Sequence, residues 1–326
     1  MLGPLLAFIS AAFFGLNNAT TRRGVLKGSV LQGMAITVPL GVPLFASFAA
    51  AMGGFAALRD WPIEAYLWMI GAGLVHFVIG RYGNYRATQT LGGTLSTPVQ
   101  QLSILIALVL GFTFLDETIN LVNLVGIALV VFGPMVLLRR RKKISKKGAS
   151  KGFTPQYLPG IFWGAVCALG YGVSPLFIAL GLRAAGGTLA DSVAGVLVSY
   201  IAATLVVLTL VTVAGGRSYM RGMDGGSVKW FLVSALSVAL SQLFRYLALA
   251  LAPLAVVVPI QRLSVVFRLV FNAWINPEHE VFDHWVIASI LLAVFGAILL
   301  ATDTALLLTT LNIGPNKSVV LTKSLF

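Results

Sequence analysis

Arg245 and Arg262 stand inside long apolar stretches, and so do Gln100, Gln101 and Gln261. A guanidinium is a planar fork of donors that matches a carboxylate or phosphate in bidentate fashion. An arginine at the centre of a membrane segment costs at least about 2.5 kcal/mol on insertion scales, so something must compensate it. All ten acidic residues fall in expected loops or at expected helix ends. The sequence therefore offers Arg262 no carboxylate at its own depth, and the chemistry it suggests is capture of an anionic group. Backbone carbonyls, water or a lipid headgroup are the bland alternatives. Arg81, Arg86 and Arg268 lie nearer helix ends, where arginines are expected to snorkel toward the interface.

The glutamines belong to a repeat. Pro98-Val99-Gln100-Gln101-Leu102-Ser103 recurs as Pro259-Ile260-Gln261-Arg262-Leu263-Ser264, 161 positions on (98 and 259). A proline inside a helix removes one donor and frees the carbonyl four residues earlier, here those of Thr94 and Ala255. Gln100 lies roughly 12 Å into its helix at 1.5 Å per residue, near the roughly 15 Å half-thickness of the hydrocarbon. The glutamines are thus expected near the midplane, where they line a polar pathway or cross-link helices. Tyr85 and Tyr246 share the same offset and read as a ligand wall or as an interfacial aromatic belt.

Asn17 and Ser174 are 157 positions apart (17 and 174) and flank two ladders of small residues. These ladders are Gly3, Ala7, Ala11, Gly15 and Gly160, Gly164, Ala168, Gly172; such spacing lets helices approach closely. Both polar residues can bond a cargo or a facing helix. His76 reads as a proton carrier or as a satisfied core histidine. The candidate substrate-binding set is therefore Asn17, His76, Tyr85, Gln100, Gln101, Ser174, Arg245, Tyr246, Gln261 and Arg262. The single Cys167 excludes a multi-cysteine metal site, and no catalytic residue, metal or cofactor is expected. GxxxxGK[ST], HExxH and GxSxG are all absent, so neither direct use of ATP nor these enzyme chemistries is indicated.

These residues must be held by membrane helices. The 326-residue chain is 58% hydrophobic and 10% charged, against about 25% charged in a soluble domain. The apolar runs are continuous, which favours helices over a barrel. Ten segments are expected, near 2–21, 29–53, 64–86, 92–114, 119–138, 157–182, 189–214, 228–250, 253–275 and 284–302. The fold class is an all-α polytopic membrane protein. Five helices per copy is an odd number, so tandem copies enter the membrane in opposite senses, as an inverted repeat. The halves are 1–138 and 157–302, with a linker 139–156 and a tail 303–326. The net charge of +13 is concentrated in loops, eight of the 23 basic residues falling between Arg139 and Lys151. That pattern follows the positive-inside rule and argues against a nucleic-acid partner. It also puts both termini outside.

The chain resembles the EamA-type branch of the drug/metabolite transporter superfamily. The resemblance rests on the five-plus-five duplication, the small-residue first helix of each half, and a fourth helix that runs from a proline to an acidic cap. Here that cap reads Pro98 through Leu115-Asp116-Glu117, and Pro259 through Asn276-Pro277-Glu278. The resemblance implies a secondary transporter of small organic solutes working by alternating access, with a site on the first, third, fourth, sixth, eighth and ninth helices. Arg262 makes an anionic or zwitterionic cargo the expectation: an amino acid, organic acid or phosphorylated metabolite. Small multidrug cation exporters of the superfamily use a membrane-embedded glutamate, and none is expected at that depth here. The expected protein is a multi-pass cell-membrane monomer or homodimer, and not an enzyme. The alternative is a protein that handles or flips lipids or lipid-linked anionic headgroups through a groove open sideways to the bilayer. In one respect the chain departs from the family, whose members of this shape generally have cytoplasmic termini.

Overall fold

A computed structural model describes residues 2–115, 154–280 and 283–301, with isolated positions between 122 and 132. Nine of the ten expected segments fall on described residues, and each is helical; 119–138 is described only at those isolated positions, and most of the linker and the tail lie outside the described residues. No strand occurs among the described residues. The helices are α1 (Leu2–Gly24), α2 (Val30–Thr37), α3 (Gly41–Ala51), α4 (Gly54–Arg59), α5 (Ile63–Gly73), α6 (Arg81–Leu91), α7 (Gly93–Gln100) and α8 (Ser103–Phe114). After the linker come α9 (Tyr157–Ala185), α10 (Leu189–Val213), α11 (Gly216–Arg221), α12 (Gly225–Leu251), α13 (Leu254–Arg262), α14 (Ser264–Ile275) and α15 (His284–Ala301). Seven helical stretches among the described residues are long and apolar enough to cross a membrane.

The surface is inverted relative to a water-soluble protein. Leu158 and Val213 are each 82% exposed and Trp274 is 79% exposed, while Arg22, Arg81 and Asn84 are 0–2% exposed. Polar residues fill an interior only where they satisfy one another, and apolar residues face outward only where the solvent is lipid. The chain is a multi-pass membrane protein whose described membrane segments are helical.

Local sequence explains where the helices start and break. Ser29 and Gln32 form a capping box on α2, and Thr188 and Asp191 form one on α10. The repeated hexapeptide falls at a break in both copies. α7 ends at Gln100 and α8 resumes at Ser103, while α13 ends at Arg262 and α14 resumes at Ser264. Ser103 Oγ donates to the Gln100 carbonyl at 2.7 Å across the first break. Between α5 and α6, Leu74–Gly80 forms a π-helical stretch that carries His76. Single π turns inside helices recur at functional sites, because the widened turn re-aims the side chains after it.

The small-residue ladders bring helices into backbone contact. α1 packs on α12 and α14, and α9 packs on α5, the π stretch, α6 and α8. A Cβ on Gly15 would lie 2.9 Å from the Ser264 carbonyl oxygen, and one on Gly172 would lie 2.9 Å from that of Ser103. Ser264 and Ser103 are the closing serines of the two hexapeptides. Gly172→Val is therefore expected to destabilise by about 1–3 kcal/mol through overpacking, since the Ile106 Cβ also stands 2.6 Å from that position. A lowered thermal-unfolding midpoint in detergent would register it; an unchanged midpoint would mean that α8 and α9 can part without cost.

Candidate functional site

The π stretch, α9 and α12 meet at a cluster around Arg245, which is 3% exposed. Arg245 Nη2 donates to Ser174 Oγ at 2.8 Å, and Nη1 donates to Gln242 Oε1 at 3.2 Å. Nη1 also stands 2.9 Å from Nδ1 and 3.1 Å from Nε2 of His76. His76 Nδ1 is 2.8 Å from Ser174 Oγ, and the Tyr171 ring stacks on the imidazole at 4.4 Å. Beside them, Ser10 Oγ donates to the Ser241 carbonyl at 2.7 Å and accepts from Gln261 Nε2 at 3.0 Å.

These groups enclose a cavity lined from α1 by Ser10 and Phe14, from the π stretch by His76 and from α9 by Tyr171. Ser241, Gln242 and Arg245 of α12 and Gln261 of α13 complete the lining. Its volume is about 20 Å³, room for about one water molecule. Among the described residues no carboxylate lines it, and none form a group of three His, Cys, Asp or Glu side chains able to bind a metal ion. The arrangement can present a guanidinium fork and amide and hydroxyl donors to an acceptor-rich group, once the helices part enough to admit one.

A second polar cluster seals one end of the bundle. Arg268 Nη1 donates to Gln100 Oε1 at 2.9 Å, and Nη2 donates to Thr88 Oγ1 at 3.0 Å and Ser96 Oγ at 3.2 Å. Gln100 Nε2 continues to Asn84 Oδ1 at 3.0 Å. Asn84 Nδ2 reaches Asn18 Oδ1 at 3.0 Å and the Tyr171 hydroxyl at 3.3 Å, which joins this cluster to the cavity wall. At the extreme end Arg22 Nε pairs with Glu280 Oε1 at 3.1 Å, both side chains 1% exposed. Glu280 accepts from the Gly93 and Thr94 amides at 2.6 and 2.7 Å, at the N-terminus of α7. Arg22 also donates to the Thr88 and His279 carbonyls at 3.0 and 2.8 Å. At the opposite end a recess of about 510 Å³ lies between the ends of α8, α9 and α12, with Arg183 on its wall.

Of the candidates read from sequence, His76, Arg245 and Gln261 line the cavity, and Ser174 bonds two of them. Gln100 belongs to the sealing cluster, whereas Asn17 accepts from Ser234 Oγ of α12 at 2.6 Å. Gln101 is buried beside it in sequence. Tyr85 and Tyr246 are buried, neither lining the cavity nor forming an interfacial belt; they bond Thr37 Oγ1 and Ser199 Oγ, each at 3.0 Å. Arg262 closes α13, and its side chain lies outside the described residues.

One expectation is corrected. Arg81 and Arg268 do not snorkel; they are 2% and 3% exposed. Arg81 donates to the Thr37 carbonyl and the Tyr200 hydroxyl, and lies 5.0 Å above the Phe77 ring. Distant helices supply the acceptors that water would otherwise supply. Glu280 lies in a connection, as expected, and its side chain folds inward onto Arg22 and α7. The reading from sequence missed Ser10, Phe14, Tyr171, Ser241 and Gln242. Only the i, i+3 spacing of Gln242 and Arg245 on one helix face signalled any of them.

Comparison with known proteins agrees with this architecture. Residues 1–139 match the EamA-like transporter family. The "Magnesium transporter NIPA3" of Pongo abelii is 29% identical over 137 residues, 42% of this chain and 28% of that one. The "Magnesium transporter NIPA4" of Homo sapiens is 30% identical over 137 residues, 42% of this chain and 29% of that one. The matched segment thus spans less than a third of these relatives. An "Uncharacterized transporter in cobO 3'region" of Sinorhizobium sp is 26% identical over 131 residues, 40% of this chain and 92% of that one. A solved crystal structure shares the fold, with a TM-score of 0.60 and 19% identity over 95% of this chain and 98% of its own. The fourth-helix pattern and the sequence match point to the same family, the EamA-like transporters, over residues 1–139.

Proposed function

We propose that the chain is a secondary transporter of small organic solutes bearing an anionic group, with ten membrane helices in two inverted repeats, 1–138 and 157–302. The linker 139–156 and tail 303–326 are connecting and terminal segments. The observation that carries this reading is a cavity whose described lining holds a guanidinium and no carboxylate, walled by helices of both halves. Matched contacts support the inverted repeat. Gly3 meets Ala252 as Gly160 meets Leu91, Gly15 meets Ser264 as Gly172 meets Ser103, and Tyr85 binds Thr37 as Tyr246 binds Ser199. Arg22, late in α1, and Gln156, just before α9, bind the neighbouring carbonyls of Thr88 and Thr90, so α1 and α9 cross in opposite senses. The cavity is too small for an organic solute as it stands, which fits halves that rock apart to admit one. Its lining comes from helix faces turned toward one another, which favours a solute over a lipid headgroup. The basic loops put the sealed end in the cytoplasm of a cell membrane. Arg262, which directly follows the cavity-lining Gln261 in sequence, is a candidate second cation.

A second reading takes magnesium as cargo, as the names of the NIPA relatives suggest. Magnesium demands near-octahedral oxygen ligands, commonly including carboxylates, and the described cavity offers no carboxylate. Purified protein in liposomes separates the two. Radiolabelled succinate, L-glutamate and glycerol 3-phosphate are offered in one arm, and magnesium with a lumenal magnesium dye in the other. Entry of an anion without magnesium is expected. Entry of magnesium with none of the anions would reverse the assignment.

A further inference from the structure

Resting on the anion-transport reading, we infer that Arg245 and His76 form a coupling pair: an anion that engages Arg245 releases His76 to bind one proton, so cargo and proton cross together. Arg245 Nη1 is 2.9 and 3.1 Å from the two ring nitrogens of His76, and Ser174 Oγ touches both side chains at 2.8 Å. Nη1 is nearly equidistant from both ring nitrogens, so the guanidinium lies against the ring, and its fixed positive charge there disfavours a second ring proton. The ring is therefore held without its second proton for as long as Arg245 rests against it.

The surroundings make this competition strict. From α9, Tyr171 stacks on the ring, and from α12, Gln242 Nε2 lies 3.2 Å from His76 Nε2. From α10 comes Tyr200, 4.1 Å from the ring of neighbouring Phe77 and bonded to Arg81, the other nearby cation. Gln261 of α13 shares the cavity. Among the described residues no carboxylate faces the imidazole to stabilise a second positive charge beside Arg245. Two cations a few ångströms apart in a low-dielectric site repel strongly.

A carboxylate or phosphate entering the cavity changes both terms. It draws the guanidinium fork to itself, and its charge offsets that of Arg245. Relieved of that charge, the ring takes a proton from a hydronium ion on the side from which the cargo enters, which leaves water, and the new N–H donates to the same anion. No other bond forms or breaks. When cargo leaves on the far side the proton leaves with it, and Arg245 returns to the ring. His76 suits this role because an ordinary imidazole titrates near neutral pH, and because the π stretch that carries it turns it into the bundle.

The test uses the full chain in liposomes loaded with pyranine, offered succinate, L-glutamate and glycerol 3-phosphate. Uptake of a carried anion is expected to acidify the lumen. An inward gradient of one pH unit is expected to raise accumulation about ten-fold for one proton per anion, and a protonophore to abolish that gain. In His76→Gln and His76→Asn, whatever rate remains is expected to ignore the gradient and to show a flat pH profile. Wild-type anion uptake without acidification, or a variant that keeps the ten-fold response, overturns the coupling and leaves anion transport standing. Failure of the wild type to carry any of the three anions overturns the transport reading, and the coupling with it.

Discussion

Glu280→Gln is expected to destabilise the folded protein by about 3–5 kcal/mol, the usual cost of removing one partner from a buried ion pair. Three helix ends depend on this carboxylate. It pairs with Arg22 at the end of α1 and accepts the Gly93 and Thr94 amides that open α7, while its own segment joins α14 to α15. The amide keeps one acceptor but loses the charge, which leaves the Arg22 guanidinium, 1% exposed, without its counter-ion. The first amides of α7 also lose an anion that suits the positive end of a helix dipole. A double variant, Arg22→Met with Glu280→Met, is expected to be closer to wild type than either single change, because it buries no uncompensated charge. Thermal unfolding in detergent reads all four proteins. Additive losses would mean that the pair is not coupled, and the seal at this end would then rest on Arg268 and its partners alone.

Arg245→Gln is expected to lower anion uptake roughly 10- to 100-fold, the equivalent of losing one charge-assisted hydrogen bond of about 1.5–3 kcal/mol. Arg245→Lys is expected to fall between the two, since an ammonium keeps the charge but not the fork. Both variants leave Ser174 and His76 in place, and a folded protein is confirmed by its elution profile and melting curve. Anion uptake at the wild-type rate in Arg245→Gln would show that the cargo is held elsewhere, Arg262 being the next residue to test. The Lys variant separates charge from geometry. Equal rates in Arg and Lys would mean that only a positive potential is needed at the cavity.

How much of this was legible beforehand differs between fold and site. The membrane helices follow from runs of apolar residues, because a bilayer admits only chains whose backbone groups are satisfied within the segment. The hexapeptide breaks at 98–103 and 259–264 follow from proline, which acts on its own helix. The close approach of α1 and α9 to other helices follows from their glycine ladders. All of these are local effects, written in consecutive residues.

The fate of each arginine is not local. Arg81, placed by sequence near a helix end, is held by Thr37, 44 positions away, and by Tyr200, 119 away. Arg22 reads as a loop cation, yet it binds the His279 carbonyl 257 positions on. Arg245 and His76 meet across 169 positions. The sequence by itself determined that this is a bundle of membrane helices broken at two matching proline hexapeptides, since hydrophobic length and lost backbone donors act within one segment. Only the tertiary structure decided which polar groups face a cavity and which seal an end. A buried charge is tolerable only beside its partners, and those partners come from whichever helices the fold sets against it.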